Sequence, residues 1–231
     1  MCGRYTLAAP NPAEVRGRFP IGESIEVRRR YNVAPGDEVL AVTADKEGRP
    51  RGELLRWGLV PSWAKQPDTG LKMINARVET VAERPAYRRA FERYRCLILA
   101  DGFYEWRRLP SGPKQAFHIA RADGGLFAFA GLWSIWHGED GQTLRTCTIL
   151  TTAANSAIAH VHDRMPVILA PDAEAAWLEP TDSGQRLRRL LAGLDPAGTA
   201  LRPVGPAVND ARYDGPECLA PAADEHQPAL F

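Results

Sequence analysis

The sequence has no CxxC pair, although four cysteines (Cys2, Cys96, Cys147 and Cys218) are spread over its 231 residues. Such spacing excludes a zinc knuckle and a small disulfide scaffold, so any special cysteine must be special by position. No run approaches the 18 or more apolar residues of a membrane helix, and the N-terminus lacks the charged-then-apolar pattern of a signal peptide. A cytoplasmic protein with no membrane partner is expected. GxGxxG and P-loop turns, internal repeats and low-complexity tracts are missing as well. So is an excess of charge: 29 basic against 28 acidic residues leave +1, which excludes a wholly basic nucleic-acid protein and confines any anion site to a local patch. Lysine is scarce, at four residues (Lys46, Lys65, Lys72, Lys114). Arginine forks suit bidentate phosphate recognition, but arginine-favouring codons explain the ratio equally well, so only individual arginines carry weight.

What is there begins with Met1-Cys2-Gly3-Arg4. Initiator methionine is normally removed before a small residue, which leaves Cys2 with a free α-amino group and a thiol on one carbon skeleton. An amine with an ordinary pKa of about 7.7–8.0 beside a thiol of about 8.5 is a double nucleophile. It can condense with an aldehyde as a Schiff base and then close to a thiazolidine through sulfur. By itself, a cysteine in second position is equally an accident of the start codon.

Along the chain, Pro12–Phe19 reads as a short helix, Tyr31–Gly36 as a turn-rich stretch, and Val39–Thr43 with Glu53–Trp57 as a hairpin. Trp57 and Trp63 flank a Gly and a Pro, either packing at a core edge or offering a stacking surface for bases. Asn75 and Arg77 alternate with apolar neighbours, as a strand-borne amide and phosphate fork or as a turn amide and a surface ion pair. Arg84–Tyr94 is a helix with a basic face, and Cys96–Ala100 a buried strand delivering Asp101-Gly102-Phe103-Tyr104-Glu105-Trp106. A carboxylate between two aromatics sits in a desolvating setting, which makes Glu105 a general acid/base candidate or, more plainly, a half-exposed edge glutamate. Ala116–Ala120 and Leu126–Leu132 read as a hairpin, Arg145–Thr151 as a strand, and Thr151–Asn155 as the opening of a short helix. His160 and His162 lack a third ligand at metal spacing, so no metal or other cofactor is expected. His162 and Arg164 before a Pro and an apolar strand are better read as an imidazole and a guanidinium pointing one way. Two helices, Ala173–Leu178 and Ser183–Leu191, precede a polar, proline-rich end; a single domain over 1–215 and a tail over 216–231 are expected.

Taken together, Met1-Cys2-Gly3-Arg4, Asn32…Pro35, Arg56 through Trp63, Asn75-Ala76-Arg77, Asp101 through Trp106 and His162-Asp163-Arg164-Met165-Pro166 resemble the SRAP family, the SOS response-associated peptidases. Each motif is weak alone, but the ordered set, running from Cys2 to about Asn209, is specific. The resemblance implies a single mixed α+β domain on antiparallel sheets with short flanking helices, and a monomer that captures abasic sites in single-stranded DNA by a covalent crosslink from Cys2. It implies Asn75 as the amine-positioning residue, Glu105 and His162 as acid/base groups, Arg4, Arg77 and Arg164 as phosphate contacts, and Trp57 and Trp63 as further DNA contacts. His160 is out of register for the histidine role. Two other classes stay open: an amidohydrolase or peptidase using an N-terminal cysteine, and a non-covalent reader of damaged DNA in which Cys2 is incidental.

Overall fold

In the computed structural model, which describes residues 2–8, 11–179, 184–191 and 195–222, the chain opens with β1 (Arg4–Leu7), α1 (Pro12–Arg18), β2 (Arg30–Val33), β3 (Glu38–Ala44) and β4 (Pro50–Trp57). There follow β5 (Asn75–Arg77), α2 (Pro85–Arg93), β6 (Arg95–Ala100), β7 (Gly102–Arg107), β8 (Gln115–Arg121), β9 (Phe127–His137), β10 (Thr143–Ala153) and β11 (Arg164–Pro166). The last elements are α3 (Pro171–Leu178), α4 (Gly184–Leu190) and β12 (Thr199–Val204). The domain is mixed α+β, as expected. One sheet orders its strands β12-β8-β7-β1-β2. In the other, the pairings β10-β4-β3-β6-β9 return to β10 and close a ring, while β5 and β11 continue along the far half of β10. Pairing is antiparallel except where β10 meets β4 and β5.

The apolar run of β6 follows from this layering. Cys96, Ile98 and Ala100 pack between the sheets with Tyr5, Trp57, Phe103 and Phe129, while Leu97 and Leu99 pack outward with Phe91 and Trp177 under the helices. A strand buried on both faces has no polar side to alternate with. Arg95, buried at the start of β6, donates to the carbonyls of Phe91 and Glu92 at the end of α2 and of Trp177 at the end of α3. A cation is favoured where helix C-termini leave carbonyls unpaired.

Several expectations are corrected. The Ala116–Ala120 and Leu126–Leu132 runs are not a hairpin, because β8 pairs with β7 and β12 while β9 crosses to the other sheet. The stretch around Tyr31 is a strand, pairing with β1 through a register shift. Residues 156–161 form turns and no helix. The expected tail from 216 begins with packed chain: Pro216–Leu219 is a 3-10 turn, Cys218 is buried, and Pro221 bridges Val204. Asp214 explains part of this, accepting the backbone N–H groups of Tyr31 and Asn32 (2.5 and 2.8 Å) on the outer edge of β2. Residues 223–231, and Ser183 of the second expected C-terminal helix, lie outside the described residues.

Candidate functional site

Cys2 enters just ahead of β1, whose register with β7 pairs Arg4 with Tyr104 and Tyr5 with Phe103. Carried one residue further, the register sets Glu105 opposite Gly3, next to Cys2. Cross-strand from Glu105 is Phe117, and the Glu105 side chain lies on the inner face with Phe103. Successive strand residues face opposite ways, so Tyr104 and Trp106, the aromatics that flank Glu105 in sequence, point to the other face. The desolvation is real, with Glu105 only 2% exposed and its carboxyl raised above the usual range first by burial, partly offset by His162. Its cause is the inner-face packing.

Asn75 arrives from the other sheet. Its Nδ2 donates to the Cys2 carbonyl at 2.7 Å, and its own backbone is held where Trp57 Nε1 donates to Ile74 O (2.9 Å) and Tyr87 Oη donates to Asn75 O (3.2 Å). Asn75 Oδ1 is buried and has no partner among the described residues. A buried acceptor left unmet costs about 1–3 kcal/mol, and such a group beside Cys2 is an opening for a ligand donor.

His162 follows a turn in which Asn155 Oδ1 accepts from Ile158 N (3.1 Å) and Ile158 O from His162 N (3.2 Å). Its Nε2 lies 4.0 Å from Glu105 Oε2. At Nδ1 two neighbours make opposite demands: the Arg164 N–H donates to it at 3.0 Å, while Asp163 Oδ1, also at 3.0 Å, asks it to donate. Asp163 is 87% exposed, so water also serves its charge, while the Arg164 N–H fixes the ring with Nε2 turned toward Glu105. His160 stays outside, edge-on to Phe117 with ring centroids 6.4 Å apart. The structure thus brings Cys2, Asn75, Glu105 and His162 together and leaves His160 out.

The expected DNA contacts divide. Arg77 is exposed at the end of β5. Arg164, 13% exposed, forks onto Glu79 (2.6 and 3.0 Å) and donates to Thr151 O at 2.6 Å. Arg4 shares the face of Tyr104, opposite to Glu105, and donates from Nη1 to Asn32 Oδ1 (3.0 Å) and Val208 O (2.8 Å). Trp63 is 68% exposed, but Trp57 is 0% exposed and has no face for a base, which removes it from the contact set. The sequence reading missed Glu79 and Tyr87. Glu79 stands two residues after Arg77, but nothing short of the fold pairs it with Arg164, 85 positions away.

The cluster offers a thiol, a positioned main chain, a carboxyl biased toward its neutral form and an imidazole across from it. Burial first, and Glu105 second, push the Cys2 thiol far above its ordinary value, so sulfur rests as the neutral thiol and needs a base at the moment of attack. A family model described as SOS response associated peptidase (SRAP) matches residues 1–211. The chain is 43% identical over 225 residues to abasic site processing protein YoaM of Bacillus subtilis, covering 95% of this chain and 97% of that protein. To abasic site processing protein YedK of Escherichia coli it is 34% identical, covering 83% and 84%. A crystal structure of a protein from Bacteroides thetaiotaomicron shares the fold at a TM-score of 0.85 and 22% identity, covering 96% of this chain and 100% of that one.

Proposed function

The chain belongs to the SOS response associated peptidase family, and from that premise we propose that it captures abasic sites in single-stranded DNA through a thiazolidine formed by Cys2 once Met1 has been removed. The relatives named above as abasic site processing proteins supply the substrate class. The observation that carries the chemistry is the placement of a buried, raised-pKa Glu105 beside Cys2, with Asn75 holding the Cys2 carbonyl at 2.7 Å.

An abasic deoxyribose in its open form presents an aldehyde at C1′. The Cys2 amine adds to it, giving a carbinolamine. Neutral Glu105 donates its proton to the hydroxyl, water leaves, and the protonated imine forms. The Glu105 carboxylate then takes the proton from Sγ, sulfur adds to C1′, and the C=N electron pair returns to nitrogen. One water is lost and Glu105 ends as it began. A carboxyl with a depressed pKa would lack the first proton; a thiol ionised from the start would not need the second step. His162, across from Glu105, assists the ring opening that releases the aldehyde. Arg77 is placed to meet a phosphate directly, and Arg164 meets one when Glu79 gives way.

Intact-protein mass after incubation with a single-stranded oligonucleotide carrying a natural abasic site tests this reading. A protein lacking Met1 gains the mass of one strand less one water, stable to heat without borohydride, and Cys2→Ala gains nothing. An adduct of equal yield in Cys2→Ala would sink the thiazolidine. Multiple turnovers of a small acyl substrate would favour an amidohydrolase instead.

A further inference from the structure

We propose that the groove between the Pro61–Trp63 turn and α2 holds one nucleobase extruded from the strand next to the abasic nucleotide; this rests on the DNA reading above. The groove encloses about 360 Å³. One rim is Trp63, an indole left 68% exposed. Its wall is formed by Tyr94 and Trp133, edge to face with centroids 5.2 Å apart. The Arg89 guanidinium lies 5.7 Å from the Tyr94 ring and donates to its hydroxyl at 3.5 Å. Arg89 and His137 line the groove, and no carboxylate does. Aromatic faces beside a cation, without an anion to repel phosphate, are what an unpaired nucleotide selects: the base stacks and the phosphate is neutralised.

The groove is also built on the elements that hold Asn75. Leu59 N donates to Met73 O (3.2 Å), tying the turn's approach to the residues just before Asn75. On α2, Tyr87 touches Asn75, while Pro85, Ala86 and Arg89 line the groove. Both contacts fall within one helical turn, about 5.4 Å along the axis.

The test uses the full-length protein and single-stranded oligonucleotides with a tetrahydrofuran abasic analogue, which binds but cannot crosslink. Each flanking base is deleted in turn and affinity is read by fluorescence anisotropy. Deleting one particular neighbouring base should weaken binding by about 5- to 150-fold, the range measured for base–aromatic stacking, and deletions elsewhere should matter much less. In Trp63→Ala and in Arg89→Ala, both surface changes, that sensitivity should shrink toward none, while crosslinking of a natural abasic strand by the wild type is followed in parallel. No privileged base, or variants that weaken every oligonucleotide by one common factor, overturns the groove while crosslinking stands. Loss of both binding and crosslinking in the wild type overturns the DNA reading and the groove with it.

Discussion

One sheet carries two acid–histidine clusters on its two faces, and they are built on opposite terms. On the outer face, Asp101 accepts from Thr6 Oγ1 (2.5 Å) and from Ala8 N (2.7 Å), and His118 Nε2 sits 3.2 Å from the Thr6 hydroxyl. Gly102 makes this approach possible, since a Cβ there would stand 2.1 Å from His118 Nε2. The Asp101 carboxylate has a donor on each oxygen, and the network locks β1 to β7 and β8. On the inner face, Glu105 is desolvated, Asn75 Oδ1 has no partner among the described residues, and His162 holds its Nε2 at 4.0 Å from the carboxylate. The first cluster stabilises the fold; the second leaves polar capacity unspent, as a site awaiting substrate does.

The sharpest way to break the comparison is to remove the nucleophile. Cys2→Ala should abolish the DNA adduct in intact mass while leaving the unfolding midpoint near that of the wild type, because it deletes sulfur from one packed position. Next in size is the pair of carboxyl changes. Glu105→Gln should slow crosslinking by roughly 10²–10⁴-fold. The same change should raise stability at neutral pH. A folded pKa raised by burial means that ionising Glu105 opposes folding above that pKa, and glutamine has nothing to ionise. Asp101→Asn should do the reverse. Its Oδ1 can keep the Ala8 N–H only if its NH₂ faces Thr6, which forces the hydroxyl and the His118 ring to reverse their roles and gives up the carboxylate's charge-assisted bonds, at a cost of about 1–3 kcal/mol, with the crosslinking rate of the folded protein retained. A stability loss in Glu105→Gln equal to that in Asp101→Asn would erase the distinction between the faces.

A pH series sharpens the same contrast. Burial, then Arg202, push His118 down to about 4 from 6.5. The unfolded chain therefore binds a proton near pH 6.5 that the folded chain refuses until about pH 4. Stability is full above the higher value and falls across that window by about 3 kcal/mol. Urea unfolding at pH 7, 5.5 and 4.5 should show the fall in the wild type and a shallower one in His118→Gln. His162, on the other face, is separated from His160 by activity. Replacing His162 should slow capture, with partial rescue on a substrate held as the open aldehyde, and replacing His160 should do neither.

What the sequence made legible was what repeats locally or sits in an ordered motif. β6 announced itself as a run apolar on both faces, and the register of His162-Asp163-Arg164-Met165-Pro166 placed the histidine that faces Glu105. Illegible was whatever depended on which sheet a strand joins. The polar Arg121–Gly125 segment has turn chemistry, but the chain uses it to leave one sheet for the other. Trp57 and Trp63 share one motif, yet one is buried in the core and the other stands in solvent, because the Trp57 indole turns inward and donates to Ile74 O, its neighbour along β10. Glu105 was found with its environment misassigned, since strand alternation turns its sequence neighbours away. Asp101, four residues earlier and equally buried, gave no sign that its bonds were complete.

The smallest expected effect concerns phosphate contacts, where two arginines of the expected contact set, Arg77 and Arg164, differ in what they must give up. Arg77 is exposed, so a phosphate displaces only water. If it neutralises one phosphate, the slope of log affinity against log salt on single strands should flatten by about 0.7 in Arg77→Ala. Arg164 already holds a carboxylate: the Glu79 fork occupies it at 2.6 and 3.0 Å, and the Arg164 side chain pulls the Glu79 carboxyl below its usual range. A phosphate must displace that fork, so Glu79→Gln should raise affinity by a few-fold and steepen the slope, whereas Arg164→Ala should change it less than Arg77→Ala does. Anisotropy titrations of the abasic analogue between 50 and 200 mM salt read all three. A weaker, flatter response in Glu79→Gln would mean that Glu79 aims Arg164 at the strand, and the fork would then belong to the binding surface instead of competing with it.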